Sequence, residues 1–104
     1  MDAERMSTVP SRAVHGDERT RVERRVRDLL AGRAVLPGVI ESVDPGADLW
    51  ELGMESLAMV GVMVAVEDEF GVEFPDELLT RDTFRSLAAV TDAVVSLTRA
   101  EDPA

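Results

Sequence analysis

With 104 residues, the chain is long enough for one small domain and too short to enclose a large substrate chamber, which favours a binding or carrier role. It has no cysteine, which excludes disulfides and thiolate sites. Residues 1–40 carry eight arginines against six acidic residues (+2), whereas residues 41–104 carry three arginines against fifteen acidic residues (−12). The acidic part repels nucleic acid and anionic lipid, and it either attracts basic protein surfaces or simply confers solubility.

The apolar pattern predicts neither a membrane span nor a signal peptide. No apolar run approaches the length of about eighteen residues that a spanning helix requires, and the first thirty residues lack an apolar centre. We therefore expect a cytoplasmic protein that binds neither nucleic acid nor membrane.

The N-terminal third predicts a tail followed by one helix. Residues 1–16 are polar and without period, which is typical of a flexible tail, and the single histidine, His15, lies there. From Asp17 to Gly32 the apolar residues recur at helical spacing; they are Val22, Val26, Leu29 and Leu30. The opposite face carries Arg21, Arg24, Arg25 and Arg27, for which a solvated face is the ordinary interpretation.

A long connector is predicted over residues 33–54. Pro37-Gly38 and Pro45-Gly46 are strong turn signals, and a short helical turn fits near Val39 to Val43. Apolar side chains along the connector are expected to pin it to the core; they are Val35, Leu36, Val39, Ile40, Val43, Leu49, Trp50 and Leu52.

The segment from Glu55 to Phe70 predicts the central helix, which Gly71 ends. Two apolar stripes run along it. The stripe expected to face the core consists of Met59, Val62, Met63, Val66 and Phe70. The second stripe, Leu57, Val60 and Val64 with the small residues Ala58, Gly61 and Ala65 beside it, is either a contact surface or a sign of deeper burial.

Gly61 stands in the middle of this helix, where glycine costs about 1 kcal/mol relative to alanine. This suggests that something approaches the backbone there.

The last third predicts a short helix and a final long helix. Phe74-Pro75-Asp76-Glu77-Leu78-Leu79 has proline and two acids placed for a first turn, and Thr83 or Asp82 can cap the amphipathic helix from Phe84 to about Leu97. The fold class is therefore all-α, a small bundle of three long helices plus one short helix. We expect the carrier domain to span residues 17–98, with residues 99–104 as a C-terminal tail.

The chain offers little catalytic equipment. It has no cysteine, lysine or tyrosine, and its one histidine falls in the predicted tail, so no catalytic residues are assigned. Glu67, Asp68 and Glu69 point in three directions from a helix and lack the loop spacing of a calcium site, so no metal site is predicted.

Ser56 is the residue that the sequence singles out. A serine at a helix entrance is usually a cap. Here, however, Gly53 permits a sharp turn before it, the second stripe begins at Leu57, and the amino end of the helix can accommodate a phosphate. A hydroxyl in this position is well placed to be phosphorylated or to carry a phosphodiester.

Two motifs make the family resemblance specific. Asp48-Leu49-Trp50-Glu51-Leu52-Gly53-Met54-Glu55-Ser56-Leu57 and Val66-Glu67-Asp68-Glu69-Phe70-Gly71-Val72-Glu73-Phe74-Pro75-Asp76 resemble the acyl carrier protein and peptidyl carrier protein family, which has an acyl-carrier-protein-like helical fold. The resemblance covers residues 18 to 98. It departs from the family at Glu55, where the family usually has aspartate.

The resemblance implies a free-standing carrier and not an enzyme. Ser56 would be esterified by 4′-phosphopantetheine from coenzyme A, and the arm would hold acyl or aminoacyl groups as thioesters. The second stripe would dock partners, with acids on its rim; the implied docking residues are Glu55, Leu57, Val60, Gly61, Val64, Glu67 and Asp68. The implied setting is natural-product biosynthesis of polyketide or nonribosomal peptide type, such as antibiotic biosynthesis.

The resemblance also implies the partners. They are a phosphopantetheinyl transferase, an adenylating enzyme or acyltransferase that loads the arm, and downstream synthase or tailoring enzymes with basic docking patches; the carrier itself would be a monomer. Two alternatives remain: a helical interaction module that never carries the arm and grips one enzyme, and a small hydrolase using Ser56, which lacks a base. The sequence leaves the cargo open among amino acid, β-amino acid, fatty acyl and modified malonyl units.

Overall fold

Three helices build the domain in the computed structural model, which describes residues 10–100 and the side-chain environments of residues 18–99. They are α1 (Pro10–Gly32), α2 (Ser56–Phe70) and α3 (Leu87–Ala100). The described range contains no strand, and α1 packs against both α2 and α3. The all-α architecture that the sequence predicts is therefore confirmed.

The helix α1 begins earlier than predicted. Residues 10–16, which the sequence assigned to a tail, are helical from Pro10 onward, and proline is well suited to a first helical turn because its φ is already helical. The remainder of the predicted tail, residues 1–9, and the C-terminal residues 101–104 lie outside the described residues. The side chain of His15 also lies outside the described residues. The domain boundaries stay a prediction.

The core lies between the inner faces of the three helices and the two connectors. The predicted α1 stripe is buried at Val22, Val26 and Leu30, with Leu29 half-buried. Burial of such apolar area is the main term that stabilises a domain of this size. Among residues 18–99, the ten side chains that are most completely buried are Phe84, Leu30, Ile40, Leu49, Leu87, Val26, Val66, Val90, Val94 and Thr91.

The first connector, residues 33–55, is pinned to α1 by hydrogen bonds as well as by apolar contacts. The guanidinium of Arg27 donates through Nη1 to the carbonyl oxygens of Ile40 (2.8 Å) and Val43 (2.9 Å). Arg27 therefore departs from the solvated role expected of the arginine face. Most of the predicted pinning residues are buried or half-buried, whereas Val39 and Leu52 are exposed.

The first connector is also joined to the second connector, residues 71–86. The Leu49 amide donates to the Arg85 carbonyl oxygen (2.7 Å). The indole N–H of Trp50 donates to the Arg81 carbonyl oxygen (2.9 Å), and the Arg81 guanidinium lies 4.0 Å above the Trp50 ring. The two connectors thus form one hydrogen-bonded layer.

The second connector contains a 3-10 turn, Asp76–Leu78, where the sequence predicted a short helix. Phe74 and Phe84 stack with their ring centroids 5.5 Å apart. This stacking holds the two ends of the intervening loop together.

The cap of α3 also differs from the prediction. Ser86, and not Thr83 or Asp82, precedes the helix, and its Oγ accepts a hydrogen bond from the Ala89 amide (3.0 Å). A serine hydroxyl that satisfies this amide is a favoured N-terminal cap. The hydroxyl of Thr83 is instead within 3.1 Å of the Thr80 hydroxyl, so α3 begins three residues later than expected.

Within residues 10–100, no helix is long and apolar enough to cross a bilayer.

Candidate functional site

Ser56 is the first residue of α2, and its side chain is exposed. Glu55 precedes it in extended backbone (φ −105°, ψ 157°) and makes no side-chain hydrogen bond to the helix end. The Ser56 hydroxyl is therefore open to an incoming reagent.

The turn before Ser56 is held rigidly. Asp48 Oδ1 accepts hydrogen bonds from the amides of Trp50 (2.9 Å) and Glu51 (3.2 Å), which fixes the start of the turn. Gly53 has φ +114°, a backbone conformation that side-chain-bearing residues rarely adopt. The buried side chain of Met54 then anchors the chain two residues before the serine. The serine is exposed, yet its position is fixed.

A shallow groove of about 270 Å³ opens beside this helix end. Its walls come from residues 34–37 of the first connector and from Gly53, Met54, Glu55 and Ala58. Two residues of the connector wall, Ala34 (φ 58°) and Leu36 (φ 48°), have left-handed backbone. Such strain persists only where surrounding contacts hold it, and here the buried Val35 lies between the two.

The two stripes of α2 separate as predicted. Val62 and Val66 are buried, and Met59, Met63 and Phe70 are half-buried against the core. On the other side Leu57 is 82% exposed, Val60 47% and Val64 45%. We call Leu57, Val60, Gly61 and Val64 the outer stripe. The exposure of Leu57, Val60 and Val64 excludes the deeper burial that the sequence left open for these side chains.

The acidic residues predicted for the rim differ in their surroundings. Glu55 is exposed at the start of the outer stripe, and Asp68 is exposed one turn beyond Val64. Glu67, by contrast, is half-buried, and its Oε2 accepts a hydrogen bond from the Phe74 amide (2.8 Å). Its carboxylate thus holds the segment that follows α2.

What approaches Gly61 is a side chain of the chain itself. A Cβ placed on Gly61 would lie 3.0 Å from Nε and 3.1 Å from Nη2 of Arg33. In the sequence, Arg33 is simply the first residue of the predicted connector. No sequence signal links it to Gly61, because the contact joins residues far apart in the chain.

The arrangement has little means of acid-base catalysis. The chain has no cysteine, lysine or tyrosine, and among residues 10–100 no three His, Cys, Asp or Glu side chains come together as metal ligands would. The geometry offers an accessible hydroxyl on a fixed helix end beside an exposed apolar stripe. This suits a site that another protein modifies.

Comparison with known proteins places these features in context. Residues 24–94 match the family model described as the phosphopantetheine attachment site. The aminoacyl carrier protein of Agrobacterium fabrum is 39% identical over 69 residues, which cover 66% of this chain and 83% of the relative. Aminoacyl carrier protein 1 of Bradyrhizobium diazoefficiens is 30% identical over 84 residues, covering 81% of this chain and 89% of the relative.

Solved structures give the same likeness. One is a complex of an engineered Bradyrhizobium japonicum glycine:[carrier protein] ligase with a carrier protein from Agrobacterium tumefaciens and ATP; the match has a TM-score of 0.69 and 36% identity, and covers 73% of this chain and 99% of the other. Another is the Bradyrhizobium japonicum ligase with its cognate carrier protein and an analogue of glycyl adenylate, with a TM-score of 0.58, 29% identity and coverage of 75% and 96%.

Proposed function

The chain belongs to the phosphopantetheine attachment family, and on this premise we propose that it is a free-standing aminoacyl carrier whose arm is esterified to Ser56. The cofactor of the family is covalently attached 4′-phosphopantetheine. The observation that supports Ser56 is its exposed position as the first residue of α2, inside the matched range.

The residues around Ser56 fit such a group. Partly positive amides at a helix start favour a phosphodiester, and the groove beside Glu55 and Ala58 leaves space next to the serine. The arm supplies a thiol that holds the cargo as a thioester, which activates its carbonyl. Gly53 and Met54 contribute by holding the serine at the surface, so that a transferase can reach it.

The outer stripe is the proposed docking surface. Leu57, Val60 and Val64 are exposed on one face of α2, and exposed apolar side chains grouped in this way commonly mark a contact surface. Glu55 and Asp68 place negative charge at its two ends. A small apolar patch with charged borders favours weak and rapidly reversible contacts, which repeated transfer between enzymes requires.

Aminoacyl cargo is supported by the relatives, two of which bear the name aminoacyl carrier protein. The proposed loading enzyme is accordingly an adenylating ligase, and an acyltransferase is the runner-up. For the pathway we propose specialised metabolism of polyketide or nonribosomal peptide type.

Intact mass tests the proposal. We expect the protein co-expressed with a broad-specificity phosphopantetheinyl transferase to gain the mass of one phosphopantetheine. Ser56→Ala should gain none, whereas Ser96→Ala, a matched change at an exposed helical serine on α3, should be modified like the wild type. An unmodified wild type, or an arm retained in Ser56→Ala, would favour the non-carrying interaction module or another attachment residue.

A further inference from the structure

A positive charge lies on the outer stripe. The guanidinium of Arg33 crosses Gly61, with Nε 3.0 Å and Cζ 3.4 Å from where a Cβ would stand. Gly61 lies between Leu57 and Val64 on the same face of α2, one helical turn from each. The apolar surface therefore has a cation along one side, midway along its length, whereas the rim residues Glu55 and Asp68 are acidic.

The chain holds the base of Arg33 in place. Its amide is within 3.2 Å of the carbonyl oxygens of both Leu29 and Leu30 at the end of α1. Beyond it, Val35 is buried, and the Val35 amide donates to the Leu30 carbonyl oxygen (3.0 Å). The side chain thus starts from a fixed point and reaches across to α2.

The charge of Arg33 is available to a partner. The residue is exposed, and within residues 18–99 no carboxylate lies within 4.0 Å of it. Other arginines of the described part are engaged, such as Arg25 with Glu69 and Arg85 with Asp82. A guanidinium offers a planar set of donors that matches a carboxylate in two parallel hydrogen bonds.

We propose that Arg33 is a specificity-determining docking residue, and that the adenylating ligase that loads this carrier places a carboxylate opposite it among apolar side chains. This inference rests on the proposed function. A ligase surface with only basic groups would match Glu55 and Asp68 and would be repelled by Arg33 beside Gly61. The carboxylate therefore selects this carrier from those whose central helix face lacks the cation.

Gly61 is the second residue on which the proposed contact depends. Its missing side chain makes room for the guanidinium on the helix surface. Alanine would push Arg33 away while keeping every charge and raising helix propensity. Gly61→Ala therefore changes the position of the Arg33 guanidinium while leaving its positive charge in the protein.

The test uses the phosphopantetheinylated protein with the Bradyrhizobium japonicum glycine:[carrier protein] ligase, ATP and glycine, with initial loading rates measured against carrier concentration. Arg33→Gln should lower kcat/KM about tenfold through a higher KM with kcat unchanged, the size of one charge-assisted contact. Gly61→Ala should lose about threefold, with no loss of thermal stability. The matched control Arg24→Gln removes an exposed arginine from α1 and should remain within about twofold.

Other results overturn the inference in distinguishable ways. Equal losses in Arg33→Gln and Arg24→Gln would mean that only net charge matters. A wild-type protein that carries the arm by mass but is not loaded would overturn the inference for the glycine:[carrier protein] ligase and leave the carrier function standing. A wild-type protein without the arm would remove the proposed function itself.

Discussion

Arg27 holds the first connector against α1 through its guanidinium. It lies on a run of arginines that ordinarily indicates a solvated helix face, yet it donates to two carbonyl oxygens of the first connector. Periodicity identifies which face of a helix is polar. It gives no information about which part of the chain comes to lie against that face, so this contact could not be predicted.

Removing the Arg27 guanidinium should destabilise the fold. Arg27→Met leaves the Ile40 and Val43 carbonyl oxygens without their donor, and we expect a loss of about 2 kcal/mol in the free energy of unfolding. Urea denaturation measures this, with Arg24→Met as the matched control, which should change stability by less than about 0.5 kcal/mol. Equal stabilities of the two variants would mean that the connector is held by its apolar contacts alone.

At the scale of the element, α2 was predicted almost to the residue, because its signals are local. The left-handed Gly71 (φ 66°) ends it as expected, and the Gly71 amide donates to the Glu67 carbonyl oxygen (2.9 Å). The two stripes follow from the helical period. The predicted starts of α1 and α3 were wrong, because each start depends on competing caps, and the sequence offers several of them.

The exposure of the outer stripe can be tested by comparing substitutions there with a substitution at a buried residue of α2. Val60→Asp or Val64→Asp should leave helical content and melting temperature nearly unchanged, since both side chains are exposed, and should slow loading by a partner by about tenfold, roughly one good contact. Circular dichroism and loading rates measure these effects.

Val62→Asp supplies the contrast, because Val62 is 2% exposed. A carboxylate buried there should destabilise the domain by more than about 3 kcal/mol. If Val60→Asp or Val64→Asp unfolds the domain as Val62→Asp should, the assignment of the two faces is reversed.

The pair Arg25 and Glu69 connects α1 to α2, with 2.6 Å between Nε and Oε2. The hydrogen bond from Arg25 lowers the pKa of Glu69, and the same bond raises the pKa of Arg25. Because the folded pKa of Glu69 lies below its unfolded value, the contribution of the pair is present at neutral pH and is lost as the pH falls through the folded pKa.

Glu69→Gln should therefore be less stable than the wild type at pH 7, and the difference should shrink as the pH falls below about 4.5. Chemical denaturation of both proteins between pH 7 and pH 3 measures it. The effect should be small, because the pair is largely exposed. A difference independent of pH would mean that Glu69 acts through packing instead of charge.

At the scale of the whole molecule, the sequence predicted the class of the fold and its apolar patterns. It did not predict which distant segments contact each other. It predicted the all-α class, a second apolar stripe on α2 whose exposure it left open, and a first connector held by buried apolar residues. It missed the layer in which Leu49 and Trp50 bind the second connector, because each bond joins segments that have no shared pattern. Arg33 beside Gly61 was missed for the same reason.

That layer contains the residue from which the intrinsic fluorescence of the protein arises. Trp50 is the single tryptophan of the chain, and its indole is held between the Arg81 carbonyl oxygen and the Arg81 guanidinium. The intrinsic fluorescence of the protein therefore originates at one joint between the two connectors. Opening of that joint would change the emission while the far-ultraviolet signal of the helices stayed constant, so the two parts of the structure can be followed separately in an unmodified protein.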